Sequence, residues 1–246
     1  MDRMIYTAMS GAKSMMQRQD VLANNLANIN TPGYRAETVA FRVAPMEGPG
    51  LPTRAFSAES TPGADFSPGV ITTTGRPLDV AVTGKGWLTV QAADGTEAYT
   101  RNGGMEVDDQ GVLRTQNGLA VLGDGGPIAV PPGNSVAIAA DGTVSAIPLS
   151  GPKTPIALGR LKLVNPPATD ITRSADGLFR LKGGAAAELD TTVRIASGSI
   201  EGSNVNAVEA MTGMISLARQ FEMQMKLLQT AESNARKGSS VLASNS

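Results

Sequence analysis

The chain has 246 residues with 21 basic against 22 acidic side chains, 41% hydrophobic residues and only 4% aromatic ones. It can bury an aliphatic core, but a formal charge of -1 lacks the concentrated positive field that nucleic-acid binding requires. Cysteine and histidine are both absent, which excludes disulfides, thiolate or imidazole metal sites, and nucleophilic mechanisms that use histidine as the base.

The first predicted element is a helix over residues 3–29. Ile5, Ala8, Ala12, Met15, Gln19, Leu22, Leu26 and Ile29 alternate steps of three and four, the spacing of a coiled-coil seam, with Gln19 its only polar member. Asp2 is placed to cap the start, and Asn30 followed by Pro32 and Gly33 supplies the stop. Asn24, Asn25 and Asn28 lie off the seam and form an amide-lined face that can exchange hydrogen bonds between subunits. Thr31, Pro32, Gly33 and Tyr34 then turn the chain. The same segment, MDRMIYTAMSGAKSMMQRQD, has no uninterrupted apolar stretch of the kind a cleaved signal carries, and no later run is long enough to span a membrane.

Residues 34–75 repeat Pro-Gly turn signals at Pro32-Gly33, Pro49-Gly50, Pro62-Gly63 and Pro68-Gly69, which favour type II turns. They read as an extended connector with short strands at Val39 to Val43 and Gly69 to Thr74. From Arg76 onward, β signals such as LDVAV, WLTVQ, GVLRT and TVRIASGSI follow one another at strand-and-turn spacing, and Asp141-Gly142 between alternating apolar runs marks a hairpin. Residues 76–202 are expected to form a mostly antiparallel β domain.

A second helix is expected from 203 onward, started by Ser203 and Asn204 and fading near Lys237 and Gly238. Ala210, Met214, Leu217, Phe221, Gln224 and Leu228 continue the three-four alternation, while Val208, Met211, Ile215, Ala218 and Met225 add a second apolar stripe. The fold expected is therefore α+β, with the two terminal helices paired as a coiled-coil-like inner domain. Its assembly interface is expected on the seams and the asparagine face.

Motifs that carry chemistry are weak. Gly84-Lys85-Gly86 lacks the remaining glycines of a phosphate loop or a dinucleotide fingerprint, and Asp108-Asp109-Gln110-Gly111 lacks the spaced oxygens and closing glutamate of a calcium loop. Asp79, Asp108, Asp109 and Asp141 are the carboxylates that glycoside hydrolysis would need in pairs, but each already has a turn or cap role. Trp87 is expected in the core. No catalytic residue, metal or cofactor is expected.

The stretch LANNLANINTPGYR resembles the N-terminal signature of bacterial flagellar axial proteins, the rod and hook family, and Ala23 to Arg35 fit that pattern throughout. EGSNVNAVEAMTGMISLARQFEMQMKLLQTAE is similar to the family's C-terminal signature, and GRPLDVAVTGKGWLTVQ to its central region. The opening MDRMIYTAMSGA together with STPGADFSPGVITTTGRPLDVAV looks more like the proximal-rod type than the distal-rod type. The resemblance implies a structural rod subunit, not an enzyme. It would be exported through the flagellar type III apparatus without a cleaved signal and assemble in the periplasm with copies of itself and neighbouring rod proteins. The helices would form a hollow axial tube that lines the export channel and transmits torque, and no nucleic acid, membrane insertion or small-molecule substrate is implied. The competing reading is an exported effector or polysaccharide-active protein whose helices are only a stalk.

Overall fold

A computed structural model describes residues 2–45, 55–59 and 63–244, and the side chains of 9–42, 63–230, 232–234 and 236. The class is α+β: two long helices, α1 (Asp2–Ala27) and α2 (Ala207–Ser244), with short, mostly antiparallel strands in the sequence between them. The chain forms two compact units. One comprises residues 1–27, 37–63 and 206–246; the other comprises 28–36 and 64–205.

In the helical unit, α1 and α2 run antiparallel. Leu22 stands 3.0 Å from where a Cβ on Gly213 would sit, and Gln224 stands 3.5 Å from the equivalent point on Gly11. Among the described side chains, Asn25 is the one buried residue of α1, and Ala210 and Leu217 are those of α2. Ala12, Met15, Leu22 and Leu26 are half-buried, and Gln19 is exposed.

These facts correct the expected coiled-coil pairing. A coiled coil buries its heptad seam continuously, knob into hole. Here the close contacts are made at glycines beside the seams, and they recur after eleven residues on each helix, a spacing near the natural helical repeat that needs no left-handed supercoil. A hairpin of strands Phe41–Pro45 and Ala55–Glu59 also contacts α1, with the Arg18 guanidinium 4.8 Å from the Phe41 ring centre. Residues expected to be mere connector therefore share the helix surface.

The helix limits also differ from expectation. Asp2 lies inside α1, and α2 is capped by Asn206, whose Oδ1 accepts from the Val208 and Glu209 amides at 3.0 and 3.3 Å. α2 continues past Gly238 to Ser244.

The β unit is built on a nine-stranded antiparallel sheet. Its main path runs Ile171–Arg173, Phe179–Leu181, Glu97–Thr100, Trp87–Gln91, Ala120–Gly123, Leu113–Thr115 and Met105–Val107. A three-stranded sheet, Asn134–Ile138, Thr143–Pro148 and Ile156–Arg160, and the pair Val80–Thr83 with Arg194–Ser197 complete the aliphatic core around Val80, Leu88, Val90, Leu113, Val144 and Leu161. Trp87 is core, as its position predicts. It packs with Phe66 and Phe179 in a second cluster, at ring distances of 5.8 and 4.7 Å. Beside them, burial pushes the Tyr99 hydroxyl up to about 12, while it accepts from the Ala187 amide and donates to Glu97.

Five hairpins use one turn. In 92–95, 108–111, 115–118, 139–142 and 174–177 the fourth residue is a glycine with φ between 79 and 89°, donating to the carbonyl of the first. Asp141-Gly142 thus marks a hairpin as expected, but only the glycine takes positive φ, so the connection is a four-residue turn with a glycine bulge in place of a two-residue one.

The aspartates before these glycines accept from the residue two positions on: Asp94 from Thr96, Asp141 from Thr143 and Asp176 from Leu178. Their carboxyls fall below the usual value of 3.8, chiefly through bonds from Thr96 to Asp94, from Thr143 to Asp141 and from Arg180 to Asp176. A depressed folded pKa contributes stability that is complete above the unfolded value and is lost as pH falls through the folded one. The melting temperature of the β unit should therefore hold steady through mild acid and drop only below about pH 4. Calorimetry across pH should show this fall becoming shallower in Asp141→Asn, which keeps the acceptor and removes the titration.

Candidate functional site

The two signature segments of the chain meet inside the β unit. Thr31 accepts from the Tyr34 amide at 3.2 Å, with Pro32 and Gly33 between them and Gly33 at φ 69°, so Thr31-Pro32-Gly33-Tyr34 is the turn its sequence predicts. Gly33 is fixed for a second reason: a Cβ there would lie 2.2 Å from the Arg101 carbonyl carbon and the Asn102 nitrogen. Its amide donates to the Glu201 carbonyl at 2.8 Å. Tyr34 is buried, with the Arg173 guanidinium 4.5 Å from its ring centre.

Glu201 is the hub. Its carboxylate is fully buried; Oε1 accepts from Arg35 Nη2 at 2.7 Å and from the Gly69 amide at 2.9 Å, and Oε2 accepts from Arg101 Nη1 at 3.0 Å. Arg35 is as buried as Glu201, and Arg101 is 4% exposed. Arg101 also donates to the carbonyls of Val82 and Gly84, and Arg173 donates to the carbonyl of Arg35. Burial pulls the Arg101 guanidinium below its ordinary range, and the Glu201 charge opposes that shift.

Two cations share one anion in a low-dielectric interior, and Arg35 Nε and Nη1 and Arg101 Nε have no hydrogen-bond partner among the described residues. Asn204 extends the junction. Its Oδ1 accepts from the Ala36 amide at 2.7 Å, and its Nδ2 donates to the carbonyls of Asp65 and Ser67. Gly69 lies against the same segment, because a Cβ there would come within 2.1 Å of the Gly202 carbonyl. Close approach, with no positive φ, is what requires glycine at this Pro-Gly pair. Of the remaining Pro-Gly signals, Pro49-Gly50 and Pro62 lie outside the described residues.

The predicted interface residues separate into groups. Ile5 and Ala8 lie outside the described side chains. Asn25, expected on a face shared between subunits, is spent within its own: Nδ2 donates to the Glu37 carbonyl at 3.0 Å and Oδ1 accepts from the Glu37 amide at 2.7 Å. Asn28 accepts from Thr31 through both its carbonyl and its side chain, Ile29 is half-buried, and Asn24 is exposed with a partner of its own. On α2, Ala210 and Leu217 are buried; Met214, Phe221, Gln224 and Leu228 are half-buried.

The second stripe stays open, with Val208, Met211 and Ile215 at 71, 51 and 55% exposure. The candidate carboxylates are engaged locally. Asp79 accepts from the Thr74 hydroxyl, Asp141 from Thr143, and Asp108 from the Gln110 and Val112 amides and the Arg114 side chain; Asp109 is exposed.

Sequence reasoning assigned no site role to Arg35, Arg101, Arg173 or Glu201, and read Asn204 only as a start of the second helix. The available signal was a charged residue at the end of each signature, in TPGYR and SIEGSN, each next to an apolar or glycine-rich segment.

Three family descriptions match the chain: "Flagella basal body rod protein" over residues 5–35, "Flagellar hook protein FlgE/F/G D1 domain" over 81–146, and "Flagellar basal body rod FlgEFG protein C-terminal" over 196–241. The chain belongs to the flagellar basal-body rod protein family. It is 50% identical over 250 residues to Flagellar basal-body rod protein FlgF of Escherichia coli strain K12, covering 99% of each chain, and equally so to that of Salmonella typhimurium strain LT2. Against Flagellar basal-body rod protein FlgG of Bacillus subtilis strain 168 it is 32% identical, covering 94% of this chain and 95% of the relative.

The geometry orders two substitutions. Glu201→Gln leaves two buried guanidinium charges without an anion and should cost about 3–5 kcal/mol. Arg35→Met leaves a balanced Arg101–Glu201 pair and should cost about 1–3 kcal/mol. Urea unfolding followed by the single tryptophan, Trp87, measures both; the reverse order would remove the hub argument. Gly33→Ala should cost about 3 kcal/mol, because it meets both the left-handed φ and the Arg101 backbone, and the same assay reads it.

Proposed function

We propose that this structural subunit of the flagellar basal-body rod, of the proximal type, assembles through the apolar stripe that α2 leaves open. The observation that carries the reading is the line of Val208, Met211 and Ile215, continued by Met225 at 39% exposure, while Met223 and Leu227, at 60 and 65%, add exposed apolar surface on the adjoining side of the helix. An apolar face of that length on a soluble helix marks a surface covered by other chains. Met9 and Met16 on α1, 61 and 56% exposed, add adaptable thioethers to the same unit.

The half-buried seam residues Met15, Leu22, Met214, Phe221 and Leu228 complete the contact as copies and neighbouring rod proteins pack around them. Together the helices make the hollow axis that lines the export channel and carries torque, and the chain acts by position, not by catalysis. Export through the flagellar type III apparatus without a cleaved signal, followed by a rod position in the periplasm, belongs to the same proposal. Absence of cysteine suits a chain that travels unfolded, and no described helix is long and apolar enough to cross a membrane.

The double substitution Met211→Asp with Ile215→Asp places charges where neighbours must bury the stripe. Incorporation into purified basal bodies, read by immunoblot, should fall at least about tenfold, the equivalent of about 1.4 kcal/mol. Circular dichroism and Trp87 fluorescence of the purified variant should remain those of the parent, because both positions are exposed in the subunit. Normal incorporation of the variant would overturn the reading.

A further inference from the structure

The β unit carries a pocket and an exposed acidic strand end that complement each other across one sheet. The pocket, of about 330 Å³, is lined by Phe66, Lys85, Trp87, Arg101, Pro166 and Ile171. Lys85 is exposed and makes no ion pair among the described residues, and Arg101 belongs to the buried cluster in which cations outnumber the anion. The site is therefore an apolar and aromatic floor under positive charge.

The strand end is Met105–Val107 with the turn that follows it. Val107 is 37% exposed, and Glu106 and Asp109 flank it with no ion-pair partner among the described residues. Arg114, which stands opposite Glu106, is engaged by Asp108. Met105–Val107 ends the main path of the nine-stranded sheet; the Met105 amide donates to the Leu78 carbonyl at 3.2 Å, and Glu106 and Val107 lie beyond that contact, both exposed. The strand bearing Trp87 lies three strand spacings away, about 14 Å, so the edge and the pocket of one subunit do not meet.

Resting on the rod reading, we propose that the pocket of one copy takes the Glu106-Val107-Asp109 edge of a second copy. Val107 fills the floor between Phe66 and Trp87, while Glu106 and Asp109 face Lys85 and the Arg101 cluster. Because donor edge and acceptor pocket are different surfaces on one rigid sheet, each copy offers both, and the contact repeats head to tail instead of closing on itself. The charges set register and orientation, and they weaken in high salt.

The chain has no cysteine, so introduced pairs report cleanly. Full-length Ala168→Cys, at the pocket wall, is co-expressed with full-length Gln110→Cys, at the edge turn, and basal bodies are isolated under mild oxidation. A disulfide-linked pair of copies is expected at least about tenfold above a control that joins Ala168→Cys to Ala157→Cys, with the factor read on a non-reducing gel. Adding Lys85→Glu to the pocket copy should remove the excess, and Glu106→Lys with Asp109→Lys in the edge copy should restore it.

Basal bodies that contain the chain but show no excess, or show linkage to a different protein, overturn the second-copy contact and leave the rod reading standing. Basal bodies that lack the chain overturn both. Failure of the charge swap to restore linkage overturns the electrostatic pairing.

Discussion

A carboxylate with no solvent exposure is tolerable only if both of its oxygens are hydrogen-bonded, and Glu201 meets that condition with partners from separate parts of the chain. Its Oε1 binds Arg35 from the N-terminal signature and the Gly69 amide, its Oε2 binds Arg101 from the central sheet, and its carbonyl takes the Gly33 amide. Each of these segments thus bonds to one residue, three through its carboxylate and one through its carbonyl. Burial of ions is poor evidence for stability, because desolvation cancels much of the attraction; what it does here is bring the Arg35, Arg101 and Gly69 donors to one carboxylate. The turn at Thr31-Pro32-Gly33, the tight approach of Gly69 to Gly202 and the three-way grip of Asn204 all lie at the same junction.

What the sequence made legible follows from range. Hairpins are local events, so Asp141-Gly142 and its neighbours announced strands correctly, although only the glycine supplies positive φ. The Thr31-Pro32-Gly33-Tyr34 turn was equally readable because Pro and Gly preset its dihedrals. The arginine cluster was not readable: Arg35 and Glu201 look like ordinary surface charges until the fold places them together. Asn25 misled for a related reason. An amide off an apolar seam suggests a solvent or subunit face, and nothing local discloses that the Glu37 backbone returns to pair with it.

The helices show how a period can be right and its meaning wrong. Steps of three and four do predict amphipathic helices, and both form. They do not by themselves distinguish a supercoiled pair from helices that touch where glycine permits and leave apolar surface open. Gly11 and Gly213 decide for the latter, since a missing Cβ lets the partner's side chain approach where a seam residue would hold it off. The apolar surface saved from that contact stays exposed in the subunit, and it is the surface proposed above to be covered by other chains. Each helix is therefore only partly satisfied by its own subunit, which is how a subunit of a polymer differs from a free-standing protein.

Arg35 and Glu201 are separated by 166 positions, whereas each of the five repeated turns closes over four. Loop-closure entropy penalises the distant contact and barely touches the near ones. The hairpins can therefore form early and independently of one another. The salt bridge closes only once both ends of the β unit are in place, so its closure times the completion of that unit's folding.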